Sequence, residues 1–388
     1  MAGCQDEVSG VHVSMNAAAN KGKQISTVKI FVFSLIPVLA LLIVAEAGVR
    51  TWSYYFRTTY ERYNSALGRL ELVRNVRLQA ADGRKILVNS KGFVGEEFKD
   101  QKEPGTYRIV AVGDSCTFGG SWDTAYPHYL GQLLSAVKGD QQHFEVINAG
   151  IEGYNSTYAL ARIEQDVLPL HPDLVTIYIG WNDLMKVNPD NLSDTGRYTW
   201  LATLIDKSYF MKGLNKVLYQ HLRPMIIQPN LGGEEKDLHA FDHFVPTVYE
   251  ENLEKMVTVL RAKGVQVIFM TRPTVAMLSM TREDIARQNV FFPYFADSYS
   301  LGKLLSLHAA YNRAVVQVAS KYGVPVVDLH QTFESLDKGP LFWDTMHPSE
   351  KGHQLIARVL ADEILKQVGE ESNRKDGLSV GGELKGPS

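Results

Sequence analysis

Arg108-Ile-Val-Ala-Val-Gly-Asp-Ser115-Cys-Thr-Phe-Gly119-Gly120 joins a run of β-branched and small apolar residues to a glycine, an acid and a serine. Ile109 to Val112 has the near-continuous apolarity of a strand covered on both faces, and Gly113 lets the backbone turn where that strand leaves the sheet. Ser115 is therefore expected at the carboxyl end of a strand, the edge at which open α/β sheets bind ligands. The glycines at 119 and 120 keep the space beside the serine clear, and Tyr129, Leu130, Leu133, Leu134 and Val137 then recur at helical spacing. Strand, tight turn and helix follow in order. By itself, Gly-Asp-Ser is also an ordinary turn sequence, so the rest of the chain has to decide between the two readings.

Downstream, apolar strand candidates recur at Phe144–Ile147, Leu174–Ile179, Val265–Met270 and Val324–Leu329, separated by segments long enough for helices. Such alternation predicts parallel βαβ crossovers and a doubly wound three-layer α/β/α sandwich, with the site built from strand ends and the loops after them. Two connections, Asn188 to Val245 and Val275 to Leu305, are longer than ordinary ones and are expected to hold extra helices or covering loops. Upstream, Tyr55 to Val76 reads as a charged helix, and Ile86 to Phe93 as a short strand and a turn in which Asn89 and Gly92 are turn-formers. The expected organisation is a disordered leader over 1–29, an anchor over 30–49, a stem over 50–104, a catalytic domain over 105–368 and a disordered tail over 369–388.

A chain of 388 residues, 45% of them hydrophobic and 21% charged, can bury a substantial core. The formal net charge of −3, with no basic stripe interleaved with aromatics, gives no reason to expect a nucleic-acid partner. Two cysteines, Cys4 and Cys116, provide neither a disulfide framework nor a thiolate metal site. Ile30 to Val49 carries no charge before Glu46 and is followed by Trp52, Tyr54, Tyr55 and Phe56, the pattern of a membrane span with interfacial aromatics. A cleaved signal peptide is the rival, because lysines precede the run and Ala45-Glu-Ala47 has the form of a cleavage site. Positive charges on the two sides balance, so the expectation that the catalytic domain faces away from the cytoplasm rests on the ease with which long domains translocate.

Each of the next two strands also ends in a small polar cluster: Asn148-Ala-Gly150-Ile-Glu-Gly153 after the second, and Gly180-Trp-Asn182-Asp183 after the third. After the fifth stands Asp344-Thr-Met-His347-Pro348, with Pro348 suited to open the helix that carries Leu355, Ile356, Val359 and Leu360. Acyl transfer from an ester needs a nucleophilic oxygen, a base, a group that orients the base, and donors for the oxygen that becomes negative. Ser115 fits the nucleophile, His347 the base and Asp344 the orienting acid. The backbone N–H groups of Ser115 and Gly153, with the Asn182 amide, fit the oxyanion donors.

Taken together, Gly113-Asp-Ser115, Gly153, Gly180-x-Asn182-Asp183 and Asp344-x-x-His347 resemble the four sequence blocks of the SGNH hydrolases, also called the GDSL esterase/lipase superfamily, over about Arg108 to Ala361. The resemblance implies a five-stranded parallel flavodoxin-like sheet, ester hydrolysis, and no metal or organic cofactor. By position it makes Ser115, Gly153, Asn182, Asp344 and His347 the functional residues. Asn89-Ser-Lys-Gly92-Phe93 and Glu46-Ala-Gly-Val-Arg50 further resemble membrane-anchored bacterial members. An ester hydrolase, with a small-molecule or glycan acyl ester as substrate, is the expectation; an O-acyltransferase with the same triad and a non-catalytic binding member are its rivals.

Neighbouring residues have plainer readings. Cys116 is expected to pack, Asp114 and Asp183 to hold loop backbone, and His308 and His330 to be structural. His353 lies in the expected helix beyond Pro348, so His347 is the favoured base. Histidines without an H-E-x-x-H pattern argue against a zinc hydrolase, and the missing G-x-S-x-G argues against an α/β-hydrolase. Trp122 and Trp181, large and near the site in sequence, are expected to narrow the acyl pocket.

Overall fold

The computed structural model describes residues 27–56, 60–64, 66–80, 83–137, 143–186, 208–211, 214, 234–293 and 300–380. The leader expected over 1–29, most of the long connection from Asn188, and the last eight residues lie wholly or mainly outside them.

The first element is an uninterrupted helix, α1 (Thr27–Phe56), with Pro37 inside it. Within it, Phe33–Trp52 has a mean hydropathy of 1.9 over a length sufficient to cross a membrane. Two small antiparallel hairpins come next, β1 (Glu61–Asn64) with β2 (Arg69–Leu72), and β3 (Val76–Gln79) with β4 (Lys85–Val88). They correct the expectation of a helix over Tyr55 to Val76, which holds only as far as Phe56. Asn75, at φ 58°, and Gly68, at φ 67°, turn the chain where a helix would have to continue. Arg69 is fully buried and its Nη2 donates to Asp166 Oδ2 at 2.7 Å, a partner 97 residues away. Asn89 and Gly92 form the turn after β4: Asn89 Oδ1 accepts from the N–H groups of Lys91 and Phe93, both at 3.0 Å. Val94 then bridges Val88 and Asn148, which hooks this region to the edge of the main sheet.

The main sheet consists of β5 (Thr106–Gly113), β6 (His143–Asn148), β7 (Leu174–Tyr178), β8 (Gln266–Met270) and β9 (Val326–Val327). All pairs are parallel, and the spatial order is β6-β5-β7-β8-β9. The chain steps one way from β5 to β6 and the other way thereafter, so right-handed crossovers put the first helix on one face and the later ones on the opposite face. Accordingly α2 (Tyr126–Ala136) lies along β6, where the last helix (Glu350–Val380) also packs against it. The helices Ser156–Arg162, Thr247–Arg261 and Leu301–Tyr322 pack with one another against the other face. This is the flavodoxin-like three-layer α/β/α arrangement expected from the sequence. Ile109 to Val112 are completely buried, as a strand covered on both sides must be. The ninth strand is shorter than the expected Val324–Leu329, because Gly323 caps the preceding helix and Asp328 caps the next.

Because the order reverses between β5 and β7, their loops diverge and open a crevice at the strands' carboxyl ends. Among its described residues, the connection from Val275 to Leu305 holds a short helix, Arg282–Arg287, fixed by a capping box between Thr281 and Asp284. The final helix starts at Glu350, two residues after Pro348, which instead pairs with Phe342. That helix runs on to Val380, through part of the stretch expected to be a disordered tail.

Candidate active site

The serine follows β5 by two residues because the turn has no room for anything larger than glycine at 113. A Cβ there would lie 2.0 Å from Thr117 Oγ1 and 2.4 Å from the Tyr178 carbonyl. Asp114 then caps the four-residue helix Ser115–Phe118, its Oδ1 accepting from Cys116 N–H at 2.9 Å. The turn after β6 rests on this helix. Asn148 Nδ2 donates to the Thr117 carbonyl at 2.9 Å, Asn148 Oδ1 accepts from Gly150 N–H at 2.9 Å, and Ile151 N–H reaches the Gly113 carbonyl at 3.3 Å. Gly153 turns left-handed, at φ 74°, with open space where a side chain would start. Its backbone is thereby left uncovered on that side.

From the other end of the domain, the loop 342–348 is closed on itself: Trp343 N–H donates to the His347 carbonyl at 2.9 Å and Phe342 bridges Pro348. Asp344 Oδ1 accepts from the backbone N–H groups of Met346 and His347, at 3.0 and 2.9 Å, while its Oδ2 lies 2.7 Å from His347 Nδ1. His347 Nε2 in turn lies 2.8 Å from Ser115 Oγ. With Nδ1–H donating to the carboxylate, Nε2 carries the lone pair and the serine hydroxyl donates to it. Ser115 thus forms one hydrogen-bonded line with two predicted residues from the far end of the domain, His347, 232 positions on, and Asp344. Cys116, by contrast, is buried, its Sγ set 3.4 Å from the Met346 carbonyl, and burial pushes its thiol well above its usual range. It packs, as expected.

The third strand brings the amide. Asn182 Nδ2 donates to the Tyr154 carbonyl at 2.9 Å, which fixes the side chain one residue from Gly153 and leaves a second N–H on the same nitrogen. Asp183 accepts from Ser156 N–H and, at 2.6 Å, from Ser156 Oγ, so it holds loop backbone as predicted. Behind this segment stands a buried Arg272. It donates to the Ile179 carbonyl at 2.6 Å and to Asn312 Oδ1, while its own carbonyl accepts from Asn312 Nδ2 and from His308 Nε2. His308 is therefore structural, and burial holds it well below the usual histidine range. Trp181 is 1% exposed and stacks on His308 with centroids 5.1 Å apart. Trp122 packs edge-on to His128. Trp181 thus supports the loop from behind instead of narrowing a pocket, a correction to the expectation for it.

The electrostatics separate the two nearby histidines. Burial pulls the His347 pKa down, but the hydrogen bond and charge of Asp344 outweigh it, with Asp114 and Glu152 adding, and leave it above 6.5. His353, stacked on Tyr126 and buried without a carboxylate, is pushed down to about 3 by burial and by His347. Burial raises Asp114 to about 6, against the Cys116 N–H bond and the charges of His347 and Arg272. Glu152, passed over in the sequence, accepts from Tyr60 at 2.7 Å and acts on His347 through its charge; its place directly before Gly153 was the available signal. A cavity of about 380 Å³ bordered by Leu238, Met277, His308, His330 and Lys338 contains none of the predicted site residues. Among the described residues, no group of three or more His, Cys, Asp or Glu side chains is placed to hold a metal ion.

Residues 111–355 match the profile of the GDSL-like Lipase/Acylhydrolase family. The sequence is 24% identical over 291 residues to an acetylxylan esterase of Geobacillus stearothermophilus, covering 74% of this chain and 96% of that one. It is 26% identical over 279 residues to the GDSL esterase/lipase CPRD49 of Arabidopsis thaliana, covering 69% and 80%. Among solved structures, a lipase/acylhydrolase from Enterococcus faecalis aligns with 67% of this chain and 96% of its own at 18% identity and a TM-score of 0.41. The acetylxylan esterase Axe2 of Geobacillus stearothermophilus aligns with 66% and 94% at 23% identity and a TM-score of 0.41.

Proposed function

The chain belongs to the GDSL-like lipase/acylhydrolase family, and on that footing we propose that it hydrolyses acyl esters through an acyl-enzyme on Ser115. What carries the reading is the continuous line from Ser115 Oγ to His347 Nε2 at 2.8 Å and from His347 Nδ1 to Asp344 Oδ2 at 2.7 Å. The serine oxygen attacks the ester carbonyl carbon as His347 takes its proton, and Asp344 holds the imidazole in the tautomer that can accept it and stabilises the imidazolium. Negative charge developing on the carbonyl oxygen is met by the N–H groups of Ser115 and Gly153 and by the free N–H of Asn182. A donor of that kind is typically worth on the order of 10²–10³ in rate. The imidazolium returns its proton to the departing alkoxide. Water, activated by the same histidine, then attacks the acyl-serine and releases the acid.

The substrate class we infer is a short acyl or O-acetyl ester on a glycan, supported by the similarity to an acetylxylan esterase over 74% of this chain. We read Phe33–Trp52 as a single-pass anchor that holds the enzyme at a membrane, supported by its length and hydropathy of 1.9, and place the catalytic domain outside the cytoplasm because long downstream domains translocate readily. Carbonate extraction and protease accessibility in membrane vesicles test that topology.

The activity is tested with the full chain in detergent on p-nitrophenyl acetate and butyrate, beside Ser115→Ala and His347→Ala. Hydrolysis by the parent protein and its loss in both variants is expected. Equal rates from all three would leave only a binding module, and preferential passage of a labelled acetyl group to an added glycan hydroxyl would make the protein an acyltransferase.

A further inference from the structure

Among the described residues, the most exposed large apolar side chain is Trp343, at 70%, immediately before Asp344. Its backbone is not loose. Trp343 N–H is bonded to the His347 carbonyl, and the Thr345 carbonyl accepts from Thr274 Oγ1 at 2.8 Å and Val275 N–H at 3.2 Å. Thr345 Oγ1 accepts from Phe291 N–H at 2.7 Å and donates to the Phe291 carbonyl at 3.0 Å. An indole is thus held in water, on a rigid loop, one residue from the acid that orients His347. Through its bond to the His347 carbonyl at 2.9 Å, the indole springs from backbone that adjoins the base.

The geometry points to Trp343 as a stacking platform for the sugar ring that bears the ester. This rests on the hydrolase reading above and names the part of the substrate that the loop recognises. An acyl chain needs an enclosed apolar groove, whereas Trp343 is a single open ring: the apolar members of its loop, Phe342 and Met346, are buried and offer no groove beside it. A pyranose presents what such a ring accepts: one apolar C–H face, with hydroxyls at its edge left in water. Because the loop is already ordered, little conformational freedom is lost when the ring is covered.

Two readouts on the full chain in detergent test this. The first is the ratio of kcat/KM for acetylated xylo-oligosaccharides to kcat/KM for ethyl acetate, which offers no ring, followed by pH-stat. Trp343→Ala should lower this ratio about tenfold, mainly through KM for the glycan ester, and Trp343→Phe should recover part of it. The second is calorimetric binding of the same oligosaccharides to the Ser115→Ala protein, which should weaken about tenfold when Trp343→Ala is added. A ratio and an affinity both changed less than twofold, or no binding at all, would overturn the platform. A change in molar mass by light scattering without a change in glycan affinity would likewise overturn it, assigning Trp343 to contact between copies. Binding that depends on Trp343 in a parent protein inactive on every ester would keep the platform and sink the hydrolase reading.

Discussion

The turn after β5 and the loop 342–348 meet at one hydrogen bond, yet they are held in opposite ways. Around Ser115 the chain is fixed by shape: Gly113 has backbone and Thr117 within 2.4 Å of where a Cβ would sit, and a Cβ on Gly150 would lie 2.3 Å from Phe118 N. Around His347 it is fixed by charge and hydrogen bonds, with one carboxylate accepting two backbone N–H groups and the imidazole. The nucleophile is therefore sensitive to added volume, and the base to the state of a single acid. This division suits the chemistry, because the serine needs only a position whereas the histidine needs a position, a tautomer and a pKa.

The comparison is broken most severely at Asp344. Asp344→Asn should leave the fold in place but lower kcat/KM by roughly 10³–10⁴, the order seen when an orienting acid loses its charge. The pH profile carries the sign. His347 must be neutral to accept the proton, so activity rises with pH through its pKa, which lies above 6.5 in the parent. Removing the carboxylate leaves burial as the dominant influence, so the acid limb should move below 6.5; a limb that stayed put would deny Asp344 its role. The same raised pKa stabilises the folded state fully below the unfolded value near 6.5, and that contribution fades as pH rises through the folded pKa. It too should vanish in the variant, as urea midpoints against pH would report.

On the side held by shape, Gly113→Ala should cost roughly 3 kcal/mol or more of stability, because backbone lines the space and cannot give way. A lowered urea midpoint, with residual activity still showing the parent's pH profile, is the expected result. An unchanged midpoint would mean that the turn is held by something other than close packing.

Much of this site was legible because β5 and β7 are covered on both faces and so read as apolar runs that end at or just before a glycine. Asp344 and His347 lie three apart on one loop, which made the pair visible without tertiary information. The small hairpins were not legible: Glu61–Asn64, Arg69–Leu72 and Val76–Gln79 are four residues each and rich in charge, and Arg69 is buried only because Asp166 pairs with it from 97 residues away. Arg272, His308 and Asn312 carry no local pattern either, since a buried polar cluster is defined by partners and not by spacing. Trp181 was misjudged for the same reason: its position next to Asn182 was visible, while the histidine beneath it was not.

Asp114 offers the smallest and sharpest test, since it belongs to both modes of support. It caps the serine helix, yet its charge also raises His347. With a carboxyl raised to about 6 from 3.8 by burial, the folded state favours the protonated form, so stability declines as pH rises from about 4 to about 6 and is flat above. Asp114→Asn can keep the cap through its carbonyl oxygen. It should remove this decline, shift the acid limb of kcat/KM to lower pH by a few tenths, and leave the protein more stable than the parent at neutral pH, because the charge that burial penalises is gone. A parent-like decline in the variant would exclude Asp114 as its source.

The most direct measurement is covalent labelling with a fluorophosphonate, read by mass spectrometry of the digested protein as a function of pH. One adduct on the peptide containing Ser115 is expected, forming faster as His347 loses its proton and about 10³-fold slower or worse in His347→Ala. An adduct on another residue, or on Ser115 at a rate indifferent to His347, would contradict the hydrogen-bonded line as the source of reactivity.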